Sequence, residues 1–435
     1  MRTDTKKEDK GMPEAIRNRA FLFWYRFVAK ILASITLFCA AFSVVSILCK
    51  AEEALPEEVG NLYAKSAVLM DADSGRLLVS KDGNTMRPMA STTKILTCII
   101  ALEEGNMDEV IVASKEASTQ PPVHLGMTEG ESFYLRDLLY SLMLESHNDS
   151  AVAIAEGVCG SVAEFAVRMN EKAKELGCEQ AHFVTPNGLD GEDEGGVHSI
   201  SAADLARIIS YCVTKSPMAK TFLEITQTGE YTFSDVEGKR SFFCTNHNLF
   251  LAMMDGAISG KTGFTDDAGY CSVGALRRDG TTFVVALLAC GWPNHKNYKW
   301  ADTRVLMNYG LEHYEYRDLC EVAKIEKKMN VPVNGGMGDG LFEQAYVTVE
   351  VENAVEEVQV LMREEEKVTA EIVMEEKLNA PVLRGQKVGT MYYQIGGYRL
   401  GECEMVLKGS VKKKCFMWVF EKLFEMFHQF CIITI

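Results

Sequence analysis

The chain has 435 residues, of which 47% are hydrophobic and 24% are charged, an ordinary composition for a globular protein with room for two domains. Its formal net charge of −16 argues against nucleic acid as a partner. The 13 cysteines have no C-x-x-C or other metal-ligating spacing, and most flank apolar residues, as at Cys98, Cys159, Cys212, Cys271 and Cys290. We therefore interpret them as small core residues and not as a disulfide framework or a metal site.

Residues 1–54 have the order of features that directs a protein to export. Lysine and arginine recur up to Arg26, and the nineteen residues from Ile31 to Cys49 carry no charge. A basic segment followed by an apolar run at the terminus favours a secretory signal over a buried core helix. Because the apolar run is long, an uncleaved signal anchor is the alternative to a cleaved signal peptide. We predict a signal peptide or signal anchor over residues 1–54, with the remaining chain outside the cytoplasm.

The segment from 57 to 320 begins and ends with predicted strands and is helical between them. Two apolar runs between residues 66 and 80 flank Asp73-Ser74-Gly75, which predicts a hairpin. Residues 131–215 have mainly helical periodicity, interrupted by a glycine- and acid-rich loop from Gly188 to Gly196. Strands return after residue 257, and a helix is predicted near 300–309. This order predicts one sheet built from distant segments and covered by a helical unit, with a site in the crevice between them.

The remaining chain has the pattern of a smaller domain. Residues 321–335 are predicted to be a linker, since they lead into Asn334-Gly335-Gly336. Beyond them, alternating apolar residues predict strands, and we expect a small, acidic, all-β domain over residues 321–410 that serves as a spacer or packing module. The predicted strands lie near 346–351, 368–374, 388–395 and 399–407.

The last segment, residues 411–435, has the pattern of an amphipathic helix. It starts with Lys412-Lys413-Lys414, continues with many phenylalanines, and places Glu421, Glu425 and His428 on one polar stripe. Such a helix can lie in a membrane interface with its lysines near the headgroups. The alternative is a terminal helix docked on the protein itself. The broad aromatic face favours the membrane anchor.

Three short motifs carry the candidate chemistry. Ser91-Thr92-Thr93-Lys94 opens an apolar run, so we expect a buried helix with Ser91 and Lys94 on one face. A hydroxyl beside an amine that can lose its proton makes an activated oxygen nucleophile. Taken alone, the pattern fits an N-capping serine with a nearby lysine better than it fits a catalytic pair. Ser146-His147-Asn148 follows at a predicted helix end, and Lys261-Thr262-Gly263 follows on a predicted strand. S-x-x-K, S-D-N and K-T-G in this order are the signature of penicillin-binding proteins and serine β-lactamases. This chain departs from it at His147, which stands in the middle of the second motif.

On these motifs the chain resembles the serine-type D-Ala-D-Ala carboxypeptidases, the low-molecular-mass penicillin-binding proteins of peptidase family S11. The stretches that carry the resemblance are Ala90–Lys94, Met143–Asp149, Phe183–Leu189, Asn246–Leu249 and Gly260–Thr265. The resemblance implies the α/β (α+β) fold class. It implies a β-lactamase/transpeptidase-like catalytic domain over 57–320, with an antiparallel sheet and a helical subdomain. An accessory β domain over 321–410 and a membrane-anchoring helix over 411–435 would follow.

The resemblance, read with the residue types, implies a role for each motif residue. Ser91 would attack the carbonyl between two D-alanines and form an acyl-enzyme. Lys94 would take the proton once burial and the positive charge of Lys261 lower its pKa. Ser146 would relay the proton to the departing amine. The backbone N–H groups of Ser91 and Phe264 would stabilise the oxyanion. No metal or cofactor is required.

The remaining motif residues would bind the substrate. Asn148 would orient the substrate amide by hydrogen bonds. Lys261 and Thr262 would hold the terminal carboxylate, and Gly263 would let the substrate approach the strand closely. The expected partners are the peptidoglycan stem peptide, β-lactams as covalent inhibitors and a membrane surface. The expected location is the outer face of the cytoplasmic membrane or the cell wall.

Two other functions are compatible with the motifs. A serine β-lactamase would need a base for deacylation, and Glu192 and Glu194 lie in the interval where that glutamate occurs. The loop around them resembles the carboxypeptidase family instead. A non-catalytic peptidoglycan-binding or scaffold protein would have no need of three intact motifs. His147 is interpreted as a loop histidine without a chemical duty, and the other histidines are too scattered for a metal site.

Overall fold

The structure, a computed structural model, describes residues 55–319, 322, 328–352 and 359–433. The predicted export segment, residues 1–54, lies outside the described residues. The strands are β1 (Ser66–Asp71), β2 (Leu77–Lys81), β3 (Val110–Val112), β4 (Ser132–Tyr134), β5 (Glu192–Asp193), β6 (Gly196–Val197), β7 (Glu230–Ser234), β8 (Ser241–Thr245), β9 (Ala257–Thr265), β10 (Gly269–Arg278), β11 (Thr281–Leu288), β12 (Glu315–Asp318), β13 (Lys328–Asn334), β14 (Ala345–Glu352), β15 (Gln359–Met362), β16 (Val368–Met374), β17 (Leu378–Asn379), β18 (Lys387–Ile395) and β19 (Tyr398–Leu407).

The helices are fewer and mostly short. They are α1 (Lys94–Glu104), α2 (Lys115–Ser118), α3 (Leu135–Tyr140), α4 (Asn148–Cys159), α5 (Val162–Glu175), α6 (Ala202–Ser210), α7 (Ala219–Gln227), α8 (Phe250–Met253), α9 (Tyr298–His313) and α10 (Phe416–Ile433). A 3₁₀ turn (Ala90–Thr93) precedes α1, and π-turns (Ser141–Glu145 and Tyr211–Lys215) continue α3 and α6.

The first sheet joins both ends of the segment that the sequence predicted as catalytic. Its five strands have the order β2-β1-β11-β10-β9, and all the paired neighbours are antiparallel. β1 and β11 are buried along their whole length because helices cover both faces of the sheet. The hairpin predicted between residues 66 and 80 is present as β1 and β2. One sheet built from distant segments is therefore confirmed, and β9 is left at its open edge.

The helical unit packs on one face of this sheet. Side chains of α1, α4 and α6 share one core with inward residues of β1, β10 and β11. Two hairpins in this unit, β3–β4 and β7–β8, were not predicted from the sequence. Their strands are three and five residues long, too short for an alternating pattern to stand out. Packing of Phe133 against Phe233 and Phe242 holds the two hairpins together.

The second sheet contains the strands predicted near the C-terminus. Its order is β16-β18-β19-β14-β13-β17. The linker predicted at 321–335 is wrong for residues 328–334, because they form β13 and pair with β14 from Lys328 to Val333. Val331 and Val333 are buried in that domain's core. Pro332 has no N–H to donate, yet it is accommodated because β13 pairs on its other side only at Val333 and Asn334.

The predicted amphipathic helix is present as α10. Its apolar residues project into solvent, with Phe416 81%, Phe420 57%, Phe424 67% and Phe427 76% exposed. The polar residues Glu421, Glu425 and His428 are exposed as well. Among the helices that the structure describes, none is by itself long and apolar enough to cross a bilayer.

Candidate active site

The candidate nucleophile lies on the 3₁₀ turn that leads into α1. Ser91 is the second residue of this turn, so it does not cap the helix; the cap residue of α1 is Thr93, which makes no side-chain capping hydrogen bond. The hydroxyls of Thr92 and Thr93 donate to the carbonyls of Met89 and Ala90, at 2.6 and 2.9 Å. These bonds fix the turn locally, which holds the Ser91 side chain at the mouth of the cleft.

Lys94 is fully buried, and its Nζ has three oxygen neighbours. They are Ser91 Oγ at 2.8 Å, Asn148 Oδ1 at 2.9 Å and the Asn187 carbonyl at 2.6 Å. Two of the three can only accept hydrogen bonds, whereas a hydroxyl can also donate. An ammonium group donates to all three oxygens, whereas a neutral amine donates to both carbonyl oxygens and accepts the Ser91 proton on its lone pair, so the electrostatics decide between the two forms. The arrangement fits a base that faces its nucleophile.

The electrostatics favour the neutral amine. Burial lowers the pKa of Lys94 well below its usual range, and the nearby charge of Lys261 lowers it further, while Asp149 raises it in part. Burial also lowers the pKa of Lys261 to about 7. The sequence predicted both causes for Lys94, and the structure adds that loss of hydration is the larger one.

The loop from Phe183 to Leu189 supplies a group that sequence reasoning missed. It brings the Asn187 carbonyl to Lys94, and the Asn187 side chain bonds to Gln120. Gly188 has a φ of +82°, and a Cβ there would lie 2.0 Å from the Ala90 carbonyl oxygen. Only glycine therefore lets this loop close on the nucleophile turn. The resemblance to the family flagged the loop, but a main-chain oxygen leaves no signal in the residue types.

His198 is a second group that the sequence did not reveal. Its Nδ1 accepts from the Val184 N–H, and its Nε2 lies 2.9 Å from the Thr93 hydroxyl. The ring is buried, which lowers the pKa of His198 to about 4 and keeps it neutral. Because Thr93 Oγ1 already donates to Ala90, Nε2–H is the donor in that contact. His198 thus braces the 183–189 loop against the nucleophile turn.

The second motif faces the first across the cleft. Ser146 ends the π-turn with a φ of +67°, and its buried Oγ has no hydrogen-bond partner among the described residues. Asn148 opens α4; its Oδ1 accepts from Lys94 and its Nδ2 donates to the Pro121 carbonyl at 3.1 Å. In this arrangement Asn148 holds Lys94. The expected substrate contact requires its Nδ2 to exchange partners.

His147, between these two residues, has a contact that the sequence interpretation did not give it. Its Nδ1 lies 2.8 Å from Ser141 Oγ, which in turn lies 2.7 Å from Ser150 Oγ. Burial is the main cause that lowers the pKa of His147. The contact ties the π-turn to α4.

The third motif lies on the edge strand β9. The N–H of Tyr270 donates to the Gly291 carbonyl and its C=O accepts from the Cys290 N–H, so both groups point away from β9. Phe264 is the cross-strand partner of Tyr270 on β9. Its own N–H and C=O therefore point to the open edge of the sheet. Thr262, two residues away, presents its main chain to the same side. Lys261 is buried, and its Nζ donates to the Thr262 carbonyl at 3.0 Å. The edge can therefore pair with an extended peptide.

Gly263 has a different neighbour from the predicted one. A Cβ at this position would lie 2.5 Å from the Ser91 nitrogen and 2.9 Å from Ala90 Cβ. The missing side chain thus lets β9 approach the nucleophile turn, where the prediction was an approach of the substrate. This short distance also places the main chain of β9 beside the Ser91 N–H. At the start of a helix such N–H groups have no helical hydrogen-bond partner.

Residues of all three motifs line one cleft of about 480 Å³ between the sheet edge and the helical unit. Ser91, Ser146, Asn148 and Lys261 all border it. Lys299 of α9 also lines it, with its Nζ 4.7 Å from the centre of the Tyr270 ring, and was not identified from the sequence.

Glu145, also in the lining, already bonds to the Thr245 N–H and His247. Glu192 borders a separate cavity. Over the described residues, no group of three or more His, Cys, Asp or Glu side chains is placed to hold a metal ion.

The fold and the site together fit a serine enzyme, with a buried lysine 2.8 Å from the candidate nucleophile. Comparison with known proteins identifies the family. The profile of the D-alanyl-D-alanine carboxypeptidase family S11 matches residues 51–289, and that of the penicillin-binding protein 5 C-terminal domain matches residues 326–413. The chain therefore belongs to the D-alanyl-D-alanine carboxypeptidase family.

Individual relatives agree with this family. The D-alanyl-D-alanine carboxypeptidase DacF of Bacillus subtilis is 28% identical over 81% of this chain and 87% of its own length. DacB2 of Mycobacterium tuberculosis is 35% identical over 52% of this chain and 74% of its own. The crystal structure of DacD from Francisella tularensis has the same fold, with a TM-score of 0.64 at 21% identity over 85% of this chain and 98% of that chain.

The family assigns the broad activity. The chain is a serine-type carboxypeptidase of the penicillin-binding class, and its family acts on peptidoglycan stem peptides and binds β-lactams. Members of the family act on peptidoglycan in the periplasm or the cell wall, which is consistent with export.

Proposed function

We propose that this protein removes the terminal D-alanine from peptidoglycan stem pentapeptides through an acyl-enzyme on Ser91. The observation that carries the proposal is the 2.8 Å contact between Ser91 Oγ and the buried Nζ of Lys94, whose other two neighbours accept hydrogen bonds. An amine held in this way is ready to receive the hydroxyl proton at neutral pH.

Acylation begins when Ser91 Oγ attacks the carbonyl between the two D-alanines and its proton passes to Lys94. The oxyanion then accepts from the N–H groups of Ser91 and Phe264. Lys94 returns the proton to the departing D-alanine nitrogen through the hydroxyl of Ser146, which has no partner among the described residues. Water later attacks the ester with Lys94 again as base, which frees the shortened peptide and restores Ser91.

The substrate lies antiparallel to β9 and pairs with its outward main-chain groups. Lys261 and Thr262 receive the terminal carboxylate, which restricts the enzyme to chain ends. Asn148 exchanges its Pro121 contact for the substrate amide. A β-lactam enters the same way, and its opened ring stays attached to Ser91, so we expect it to inhibit covalently.

The domain organisation and location are part of the proposal. Residues 1–54 direct export, 57–320 catalyse, 321–410 form the accessory β domain and 411–435 attach the protein to the outer face of the cytoplasmic membrane. The family profiles over 51–289 and 326–413 support the two central boundaries. The exposed apolar face of α10 supports the last.

The rival functions have less support in the site. A β-lactamase of the expected kind needs a glutamate at the ester, whereas Glu192 borders another cavity and Glu194 is exposed. A scaffold protein would gain nothing from a buried lysine beside a serine. Burying an amine lowers the stability of the fold, and a catalytic role explains why that cost is kept here.

Mass spectrometry of the protein after exposure to penicillin tests the proposal. We expect one covalent adduct, on the peptide that contains Ser91, together with release of D-alanine from a peptide ending in D-Ala-D-Ala. Ser91→Ala should lose both, and Ser118→Ala, which changes a half-buried serine of α2 outside the cleft lining, should keep both. An adduct that persists in Ser91→Ala, or rapid turnover of penicillin by the parent, contradicts the proposal.

A further inference from the structure

The chain leaves the β domain between two loops before it enters α10. Val411 pairs with Val382 through N–H···O bonds of 3.0 Å in both directions. On the opposite side, Lys412 O accepts from the Met337 N–H at 2.8 Å, and the Lys414 N–H donates to Gly335 O at 2.8 Å. The start of the helix is therefore fixed to one loop around Val382 and to another that begins at Gly335.

Each of these loops exposes one large apolar side chain beside the helix start. Phe342 is 86% exposed, Leu383 is 64% exposed, and Phe416, the first residue of α10, is 81% exposed. We call these three residues the apolar collar. Lys414 Nζ donates to Leu341 O at 3.2 Å, which holds the Phe342 loop against the helix start. Solvation of such side chains in water is unfavourable, so three of them around one point indicate a contact surface.

The charges around the collar suit an anionic surface. Lys412, Lys413 and Arg384 are exposed and Lys414 is half-buried. The carboxylates in the Phe342 loop are those of Asp339 and Glu343, so these four cations outnumber them. The hydrogen bond to Glu425 is the main cause that raises the pKa of Lys422, and Asp339 adds a minor part. A cluster of lysines next to exposed aromatic residues is the composition that binds acidic lipid headgroups.

We propose that the apolar collar inserts into the anionic lipid surface together with α10, so that the β domain itself touches the membrane. The inference rests on the proposed membrane attachment by α10 and extends it to Phe342 and Leu383. The hydrogen bonds of Val411, Lys412 and Lys414 hold the start of α10 against the domain. Lipid contacts at both loops, on opposite sides of that segment, would fix the orientation of the domain relative to the membrane.

Depth-dependent quenching of tryptophan fluorescence in the full chain tests the collar. The probe is a vesicle of phosphatidylglycerol and phosphatidylethanolamine with bromine atoms on the acyl chains. The difference in quenching between Phe342→Trp and the parent reports on the collar. The difference between the parent and Trp418→Phe reports on the native Trp418 of α10. Val373→Trp is the matched control, since Val373 is 51% exposed on β16 at the opposite edge of the same sheet.

We expect the bromines to quench the indole introduced by Phe342→Trp and the native Trp418, and to leave the indole introduced by Val373→Trp unchanged. Quenching at Trp418 without quenching in Phe342→Trp overturns the collar and leaves the proposed helix anchor intact. Absence of quenching at both positions overturns the anchor and the collar together. Equal quenching in Phe342→Trp and Val373→Trp overturns the collar as a selective contact. Penicillin labelling of Ser91 checks that each variant is folded.

Discussion

At the scale of single residues, the proposed mechanism depends on one amine, that of Lys94, whose surroundings lower its pKa. An exposed lysine is protonated at neutral pH and cannot take a proton from a serine. At Lys94, burial and the charge of Lys261 both act against protonation. The proposed mechanism gives the two lysines opposite requirements, since it needs Lys94 neutral and Lys261 charged to hold a carboxylate.

These opposite requirements predict a bell-shaped pH profile of kcat/KM for a peptide ending in D-Ala-D-Ala. Activity falls on the acid side as Lys94 gains its proton. It falls on the alkaline side as Lys261, whose pKa burial lowers to about 7, loses its charge in the free enzyme. Steady-state kinetics across the pH range measures both limbs.

A substrate that ends in an amide instead of a carboxylate provides the control for this profile. It does not need the charge of Lys261, so we expect the alkaline limb to disappear and the acid limb to remain. Lys94→Arg, which stays charged at every accessible pH, should lose roughly 10²–10⁴-fold in acylation rate. An alkaline limb that persists with the amide would assign it to another group.

At the scale of elements, the site is assembled where β9 meets the 3₁₀ turn before α1. Gly263 makes this contact possible, since a Cβ there would lie 2.5 Å from the Ser91 nitrogen. On the other side of the turn, Gly188 and the neutral ring of His198 hold the loop that carries the Asn187 carbonyl. The nucleophile turn is therefore clamped between a strand and a loop that are far apart in sequence.

Gly263→Ala tests the clamp. The new methyl forces β9 away from the turn, which displaces the Phe264 N–H from the Ser91 N–H and strains the contact by about 1–3 kcal/mol. We expect slower acylation by penicillin and a lower free energy of unfolding in denaturant. Gly229→Ala is the control, because a Cβ at Gly229 meets nothing within 4 Å. Unchanged acylation in Gly263→Ala would show that the strand and turn are not held this closely.

At the scale of the whole molecule, side chains and a strand pair join the two sheets. β12, which follows α9, pairs with β15, which follows β14. Arg76, in the turn between β1 and β2, donates to the Leu361 carbonyl at 2.8 Å and pairs with Glu366. The Tyr398 hydroxyl donates to the Ser74 carbonyl at 2.8 Å. These contacts fix the accessory sheet on the side of the first sheet away from β9, at the β1–β2 end.

Glu366→Gln tests this connection. The side chains of Arg76 and Glu366 are only 8% and 12% exposed, so removing the carboxylate leaves a buried guanidinium without its charge partner. We expect a loss of about 3–5 kcal/mol in the free energy of unfolding, measured by denaturant titration. Penicillin acylation below the unfolding transition should stay the same, because the cleft is built by other contacts.

The exposed pair between Lys387 and Glu404, in the same accessory sheet, provides the matched control. Its side chains are 53% and 51% exposed, so Glu404→Gln should leave the free energy of unfolding close to that of the parent. A Glu366→Gln variant as stable as Glu404→Gln would mean that the sheets do not depend on this ion pair.

Much of the fold follows from patterns that are local in the sequence. The long strands of both sheets, the helix after Ser91 and the terminal helix all have a clear period of apolar residues. Residues 328–334 were predicted as linker because Pro332 and the glycines after it indicate a turn. The pairing of β13 with β14 outweighs that local preference. The short hairpins carry too few residues for any period to be recognised.

The sequence by itself determined the family and the candidate residues for the proposed chemistry, because a nucleophile, a base and a carboxylate-binding lysine each need a particular residue type at a particular spacing. Only the tertiary structure decided the state of those groups. The neutrality of Lys94, the Asn187 carbonyl beside it, the bracing by His198 and the position of Lys299 depend on burial and on contacts between distant segments. Desolvation and main-chain geometry are properties of the folded chain, and no local pattern of residue types encodes them.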